Sequence, residues 1–116
     1  MSRLTGILDL RACQGKPMKY YFCKLHPPRP TFAFDLTESE RNVMKSHGAY
    51  WGGMMAKGQV IVFGPVGDPS GPFGMGVLEL PDDGDAKALA DADPAILSGL
   101  GFRYEIHPML SAVVRR

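Results

Sequence analysis

Cysteine is scarce in this chain of 116 residues, which holds only Cys13 and Cys23. Two are too few for a disulfide framework or a cysteine zinc site. Cys23, inside an apolar and aromatic run, reads as a small buried hydrophobe and not as a nucleophile. An excess of either charge is also missing: 13 Lys and Arg stand against 12 Asp and Glu, a formal net charge of +1. A nucleic-acid binder needs a basic stripe to displace counterions from phosphates. Here only Arg115-Arg116 clusters positive charge, and two charges at a chain end are expected to be solvated. No apolar run reaches the roughly 20 residues of a membrane span. Leu4, Ile7 and Leu8 are interrupted by Asp9 and Arg11, which leaves no signal-peptide core. The expectation is a soluble protein of the reduced cytoplasm, with neither nucleic acid nor membrane as partner.

Motifs for phosphate and metal are lacking as well. There is no GxxxxGK[ST], no GxGxxG following a strand, and no HExxH. His26, His47 and His107 fall in three different expected elements without ligand-like spacing, so no metal and no cofactor is expected. What the chain does have is 45% hydrophobic and 22% charged residues, an ordinary composition for one folded domain. It also has 14 Gly and 10 Pro, which promise short elements and abrupt turns.

Residues 1–17 show no sustained periodicity and close on Gly15-Lys16-Pro17, so they read as an arm or extension, with the domain proper at 18–110 and a tail at 111–116. Met18 to Leu25 begins abruptly as an aromatic-rich strand, and three prolines at 27, 28 and 30 end it. Thr37-Glu38-Ser39-Glu40 has capping-box spacing and predicts a helix from about Glu38 to Lys57, stopped at Gly58. Val43, Met44, His47, Tyr50, Trp51 and Met54 form its apolar face. Gly48, Gly52 and Gly53 interrupt it at about 1 kcal/mol each, a cost that close approach to a sheet or room for a ligand would offset. Gln59–Phe63 reads as a buried strand, Gly64–Pro72 as a long turn, and Phe73–Leu80 as the returning strand. Within that strand, Gly74-Met75-Gly76 marks close backbone approach. Pro81-Asp82-Asp83 is expected to cap a second helix that ends or kinks at Asp93-Pro94. Phe102–His107 alternates as a last strand. The order βαββαβ is that of an α+β, ferredoxin-like fold, a four-stranded antiparallel sheet with helices on one face. The strands are too apolar for the other face to meet water, so a homodimer with sheets packed face to face is expected.

His47 carries the most information, because it lies mid-helix on the apolar face. It is either a satisfied core histidine or a proton carrier. Asp93 lies where the second helix is expected to end, facing the negative end of its dipole, a placement tolerable in solvent or beside a cation such as His47. It is otherwise an ordinary helix stop. Asp68 and Ser70 sit in the glycine-proline loop, as turn residues or as ligand contacts. Tyr20, Tyr21, Phe22 and Trp51 fit core packing better than base stacking.

Met18-Lys19-Tyr20-Tyr21, a helical His before Tyr50-Trp51, Gly58, Gly64-Pro65, Asp68, Gly71, Ala92-Asp93-Pro94 and Tyr104-Glu105-Ile106-His107-Pro108 together resemble the YCII-related (YciI-like) family of small bacterial proteins. The resemblance implies a ferredoxin-like domain assembled as a dimeric α+β barrel. It also implies a cleft between sheet and first helix holding a His and an Asp, which fall on His47 and Asp93. Many members carry an Arg shortly before the His; here Arg41 or Lys45 stands in for it. With the cleft beside the Gly64–Gly71 loop, Trp51, Gly64, Pro65, Asp68 and Ser70 are the expected substrate contacts. The family includes a dehydrochlorinase acting on a chlorinated hydroxyhydroquinone, and the barrel resembles that of muconolactone isomerase. The function so implied is a cofactor-free lyase or isomerase using a His47-Asp93 dyad on a small cyclic or aromatic substrate. A non-catalytic module binding a small anion or metabolite in the same cleft is the alternative, and cofactor-free oxygenation is a third.

Overall fold

The computed structural model describes residues 17–116, so Cys13 and residues 1–16 of the expected arm lie outside the described residues. Strand β1 spans Met18–His26, and a 3-10 turn follows at Phe32–Phe34. Helix α1 (Glu38–Ala56), strands β2 (Val60–Val66) and β3 (Phe73–Pro81), helices α2 (Ala86–Asp91) and α3 (Pro94–Leu97), and strand β4 (Arg103–Pro108) complete the chain order. The strands form one antiparallel sheet in the order β2-β3-β1-β4. This is the α+β, ferredoxin-like arrangement, with the second helix split in two.

Both ends of α1 are set locally. The Thr37 hydroxyl accepts from the Glu40 N–H at 3.1 Å, and a Glu40 carboxylate oxygen accepts from the Thr37 N–H at 2.9 Å. At the far end Gly58 takes φ 77°, where only glycine is unstrained. Inward-facing residues of β1, β2 and β3 (Cys23, Val60, Leu78 and Leu80) pack against Trp51 and Met54 of α1. Cys23 is fully buried, and burial pushes its thiol up to about 12, the environment of an inert core residue. A second cluster joins Leu25, Phe32, Ala95 and Phe102, with Phe32 and Phe102 edge to face at 5.2 Å.

Two backbone devices place aromatic rings in the region between α1 and the sheet. In β2, Val60 pairs with Leu78 and Phe63 with Gly76, while Ile61 is left over as a bulge. The extra residue lets Val60 and Phe63, three apart, share one face, and Phe63 reaches 5.9 Å from Trp51. In β3, a Cβ at Gly76 would stand 2.3 Å from the Trp51 ring, so the indole lies directly on the strand backbone. The close approach foreseen for the helix glycines is absent: a Cβ on Gly48, Gly52 or Gly53 meets nothing within 4 Å. Gly48 instead borders a cavity.

Several expectations need correcting. Asp85, and not Pro81-Asp82-Asp83, caps α2, its carboxylate accepting from the Ala88 N–H at 3.0 Å. Strand β2 runs on through Gly64 and Pro65 to Val66, because at a sheet edge proline's missing donor can face outward. The C-terminal arginines are not both solvated. The Met109 N–H donates to the Tyr20 carbonyl at 2.8 Å, and the Arg116 guanidinium returns to donate to Glu79, whose carboxylate also accepts from the Tyr20 hydroxyl. Glu79 is thereby buried with partners on the sheet face away from the helices. No helix among the described residues is long and apolar enough to cross a membrane.

Candidate functional site

Proline at 94 decides the backbone of Asp93. The residue before proline is driven out of the α region, and Asp93 adopts φ −62°, ψ 131°. Helix α2 therefore ends, and Pro94 starts α3 as its first residue with Asp93 as N-cap. Asp93 Oδ1 accepts from the Ala95 N–H at 2.8 Å. The expected placement of this carboxylate at a helix C-terminus is thus corrected: it caps an N-terminus, where backbone N–H groups welcome it.

The second carboxylate oxygen is aimed at α1 and β4. Asp93 Oδ2 accepts from His47 Nδ1 at 2.8 Å, from Trp51 Nε1 at 3.0 Å, and from the Tyr104 hydroxyl. His47 and Trp51 lie four apart on α1, which stacks them on one face, and the Trp51 N–H also reaches the Tyr104 oxygen at 2.9 Å. Asp93 is 0% exposed. Burial alone would raise its carboxyl, but hydrogen bonds from His47, Tyr104 and the Ala95 N–H outweigh burial and hold it below the usual carboxylate range. Tyr104 is pushed far up, first by burial and then by the Asp93 carboxylate, so its hydroxyl stays a neutral donor. An ionised carboxylate only accepts, so His47 Nδ1 carries a proton, and in the neutral ring Nε2 is then the nitrogen with the lone pair. Nε2 has no hydrogen-bond partner among the described residues.

Above this cluster opens a cavity of about 420 Å³ that His47 lines with a side chain 14% exposed. Rings of Phe32, Trp51, Phe63, Phe73, Phe102 and Tyr104 line it, and Gly64 and Pro65 stand on the β2 side. Of the residues expected from sequence, His47, Trp51, Gly64 and Pro65 meet at this cavity, and Asp93 lies beneath them. Asp68 and Ser70 do not join it. Asp68 Oδ1 accepts from the Ser70 N–H and hydroxyl, both at 2.9 Å, a self-contained turn whose backbone bond holds the Asp68 carboxyl low. They border a separate hollow with Lys24, His26 and Arg29. Arg41 and Lys45 are exposed and outside the cavity wall.

Sequence reasoning missed Tyr104 as a member of the cluster, although strand alternation in Phe102–His107 gave the signal that it faces inward. It also missed the wall that Pro27, Phe32, Ala33 and Leu36 supply, held by Arg29. That guanidinium donates to both Glu40 oxygens at 2.7 and 2.8 Å and to Asp35 at 2.9 Å, and it ties the segment to the start of α1. No group of three or more His, Cys, Asp or Glu side chains suited to a metal ion is present among the described residues.

The family model that matches is the YCII-related domain, over residues 18–110. No curated protein and no solved structure matches the chain.

Proposed function

The chain belongs to the YCII-related family, and from that premise we propose that it is a small cytoplasmic, cofactor-free enzyme of lyase or isomerase type acting on a cyclic or aromatic substrate. One observation carries this reading: a histidine bonded through Nδ1 to a buried aspartate, with Nε2 unengaged, lines an apolar cavity large enough for a small molecule. Nε2 takes a proton from an acidic position of the bound ring and returns it elsewhere, which isomerises the substrate, or keeps it while a leaving group departs. Asp93 orients the ring and offsets the positive charge that His47 gains, and Trp51 and Tyr104 hold Asp93 in place. Such a proton carrier is worth roughly 10²–10⁴-fold in rate. The assembly we propose is a homodimer packed through the sheet face away from the helices.

The alternative, a non-catalytic binding module, draws on the same cavity. Among the described residues, its wall offers no ionisable side chain apart from His47 that is free to stabilise developing charge. Deuterium uptake separates the two. Small cyclic ketones, lactones and phenols incubated with the protein in D2O are expected to exchange ring-adjacent protons, followed by proton NMR. His47→Ala should slow that exchange by about 10²-fold or more. Exchange equal in both proteins, or in neither, would remove the enzymatic reading.

A further inference from the structure

Nothing in the backbone requires a glycine at position 48. Gly48 lies in the interior of α1, where glycine weakens a helix relative to alanine. It does not share the positive φ of Gly58 and Gly71, so an L side chain would suit its backbone. Nor is it crowded: a Cβ built there meets no atom within 4 Å among the described residues. Gly52 and Gly53 are alike in all these respects, but of the three only Gly48 lines the cavity.

Its place on the helix shows what the missing side chain leaves open. The α1 residues at the cavity are Met44, His47, Gly48 and Trp51. Their spacing is i, i+3, i+4 and i+7, one face of a helix. A side chain at 48 would lean over the turn that carries Met44 and stand beside the His47 ring. Three long side chains and one gap therefore face the cavity, and the gap adjoins the histidine. The volume of about 420 Å³ is well above the roughly 150 Å³ that accommodates a benzene. A large side chain at 48 would consume part of that surplus.

We propose that Gly48 is a specificity-determining position: the far part of a bound ligand lies across α1 in the space that the missing side chain leaves, and residue 48 sets the largest ligand the cavity admits. This rests on the reading of the cavity as the binding site and adds the residue that limits ligand size.

The chain has a single tryptophan, and Trp51 lines the cavity, so its indole N–H resonance in a proton–nitrogen NMR spectrum reports occupancy. Benzene and naphthalene are the probes, because they differ in size and carry neither charge nor hydrogen-bonding group. Both should move the Trp51 resonance in the wild-type protein, with naphthalene the tighter for its larger apolar surface. Gly48→Leu should weaken naphthalene at least about tenfold and leave benzene within about threefold, since the space one ring needs remains. Gly53→Leu, outside the cavity, should change neither. Gly48→Ala and Gly53→Ala should both melt higher than wild type, yet only the first should weaken naphthalene, by about threefold. That pair keeps the test decisive if leucine at 48 disturbs folding. Naphthalene unaffected at 48, both probes weakened alike, equal weakening by the variants at 53, or neither probe moving the wild-type resonance would each overturn the proposal. Size discrimination at 48 without deuterium exchange in the wider panel would sink the enzymatic reading and leave the role of Gly48 standing.

Discussion

A proline after Asp93 forces that residue into extended backbone, and its carboxylate becomes the N-cap of α3 and the shared acceptor of His47, Trp51 and Tyr104. The sequence placed Asp93 and His47 as partners. It misjudged the helix end, because Asp-Pro stops one helix and starts another with the same residues. Glycines show the same limit. Those of α1 and β3 look alike in a sequence, yet their neighbours differ: Gly76 lies under the Trp51 ring, whereas Gly53 faces open space. Trp51 cannot swing away from Gly76, since its N–H is held by Asp93 and Tyr104. Gly76→Ala is therefore expected to destabilise by about 1–3 kcal/mol through overpacking. Gly53→Ala should stabilise by about 0.5–1 kcal/mol through helix propensity and a less free unfolded chain. Thermal denaturation reads both, at about 4–8 °C per kcal/mol for a domain of this size. Shifts of the same sign would mean that Trp51 does not rest on the strand.

Helix α1 was legible at both ends because a capping box and a terminal glycine are signals within four residues of each other or of the helix. The segment from Pro27 to Leu36 was not, since what holds it is a bond across 11 positions, from Arg29 to Glu40. Arg29 first, and then the Thr37 N–H, lowers the Glu40 carboxyl from 4.5 to about 2. A carboxylate depressed in the folded state contributes stability that is present above its unfolded value and lost as pH falls toward its folded one. The tie between the cavity wall and α1 should thus weaken between about pH 4.5 and 2. Hydrogen-exchange protection of the Phe34 and Asp35 amides, which bond to Thr31 and Phe32, follows it. Protection should fall across that window, and Glu40→Gln should show the loosened wall already at neutral pH, because glutamine keeps the cap but not the charge. A variant as protected as wild type at neutral pH would show that the ion pair does not hold this wall.

At the scale of the molecule, the βαββαβ order was readable because each strand and helix announces itself by local periodicity, and the antiparallel sheet follows from that order. The aromatic cavity was readable only in part. His47 and Trp51 stand out on one helix face, but Phe32, Phe63 and Phe102 reach it from the 3-10 turn, from β2 through a bulge, and from the residue just before β4. The arginine at the chain end was misread for a related reason, since its partner Glu79 lies 37 positions away. That pairing bears on assembly. On the sheet face away from the helices, Val62, Val77 and Phe22 stand side by side across β2, β3 and β1, and Val62 is 48% exposed. Tyr20, Glu79 and Arg116 close one end of this row with satisfied polar groups. An apolar row with a polar margin fits a second copy of itself better than it fits water. The homodimer proposed above should sediment at twice 12.6 kDa at micromolar concentration. Val62→Asp would place a charge in the middle of the interface at a position that is half exposed in the single chain, so it should weaken self-association at least about tenfold while leaving the far-ultraviolet circular dichroism unchanged. Wild-type protein sedimenting as a monomer, or a Val62→Asp dimer as tight as wild type, would mean that this face meets something other than its own copy.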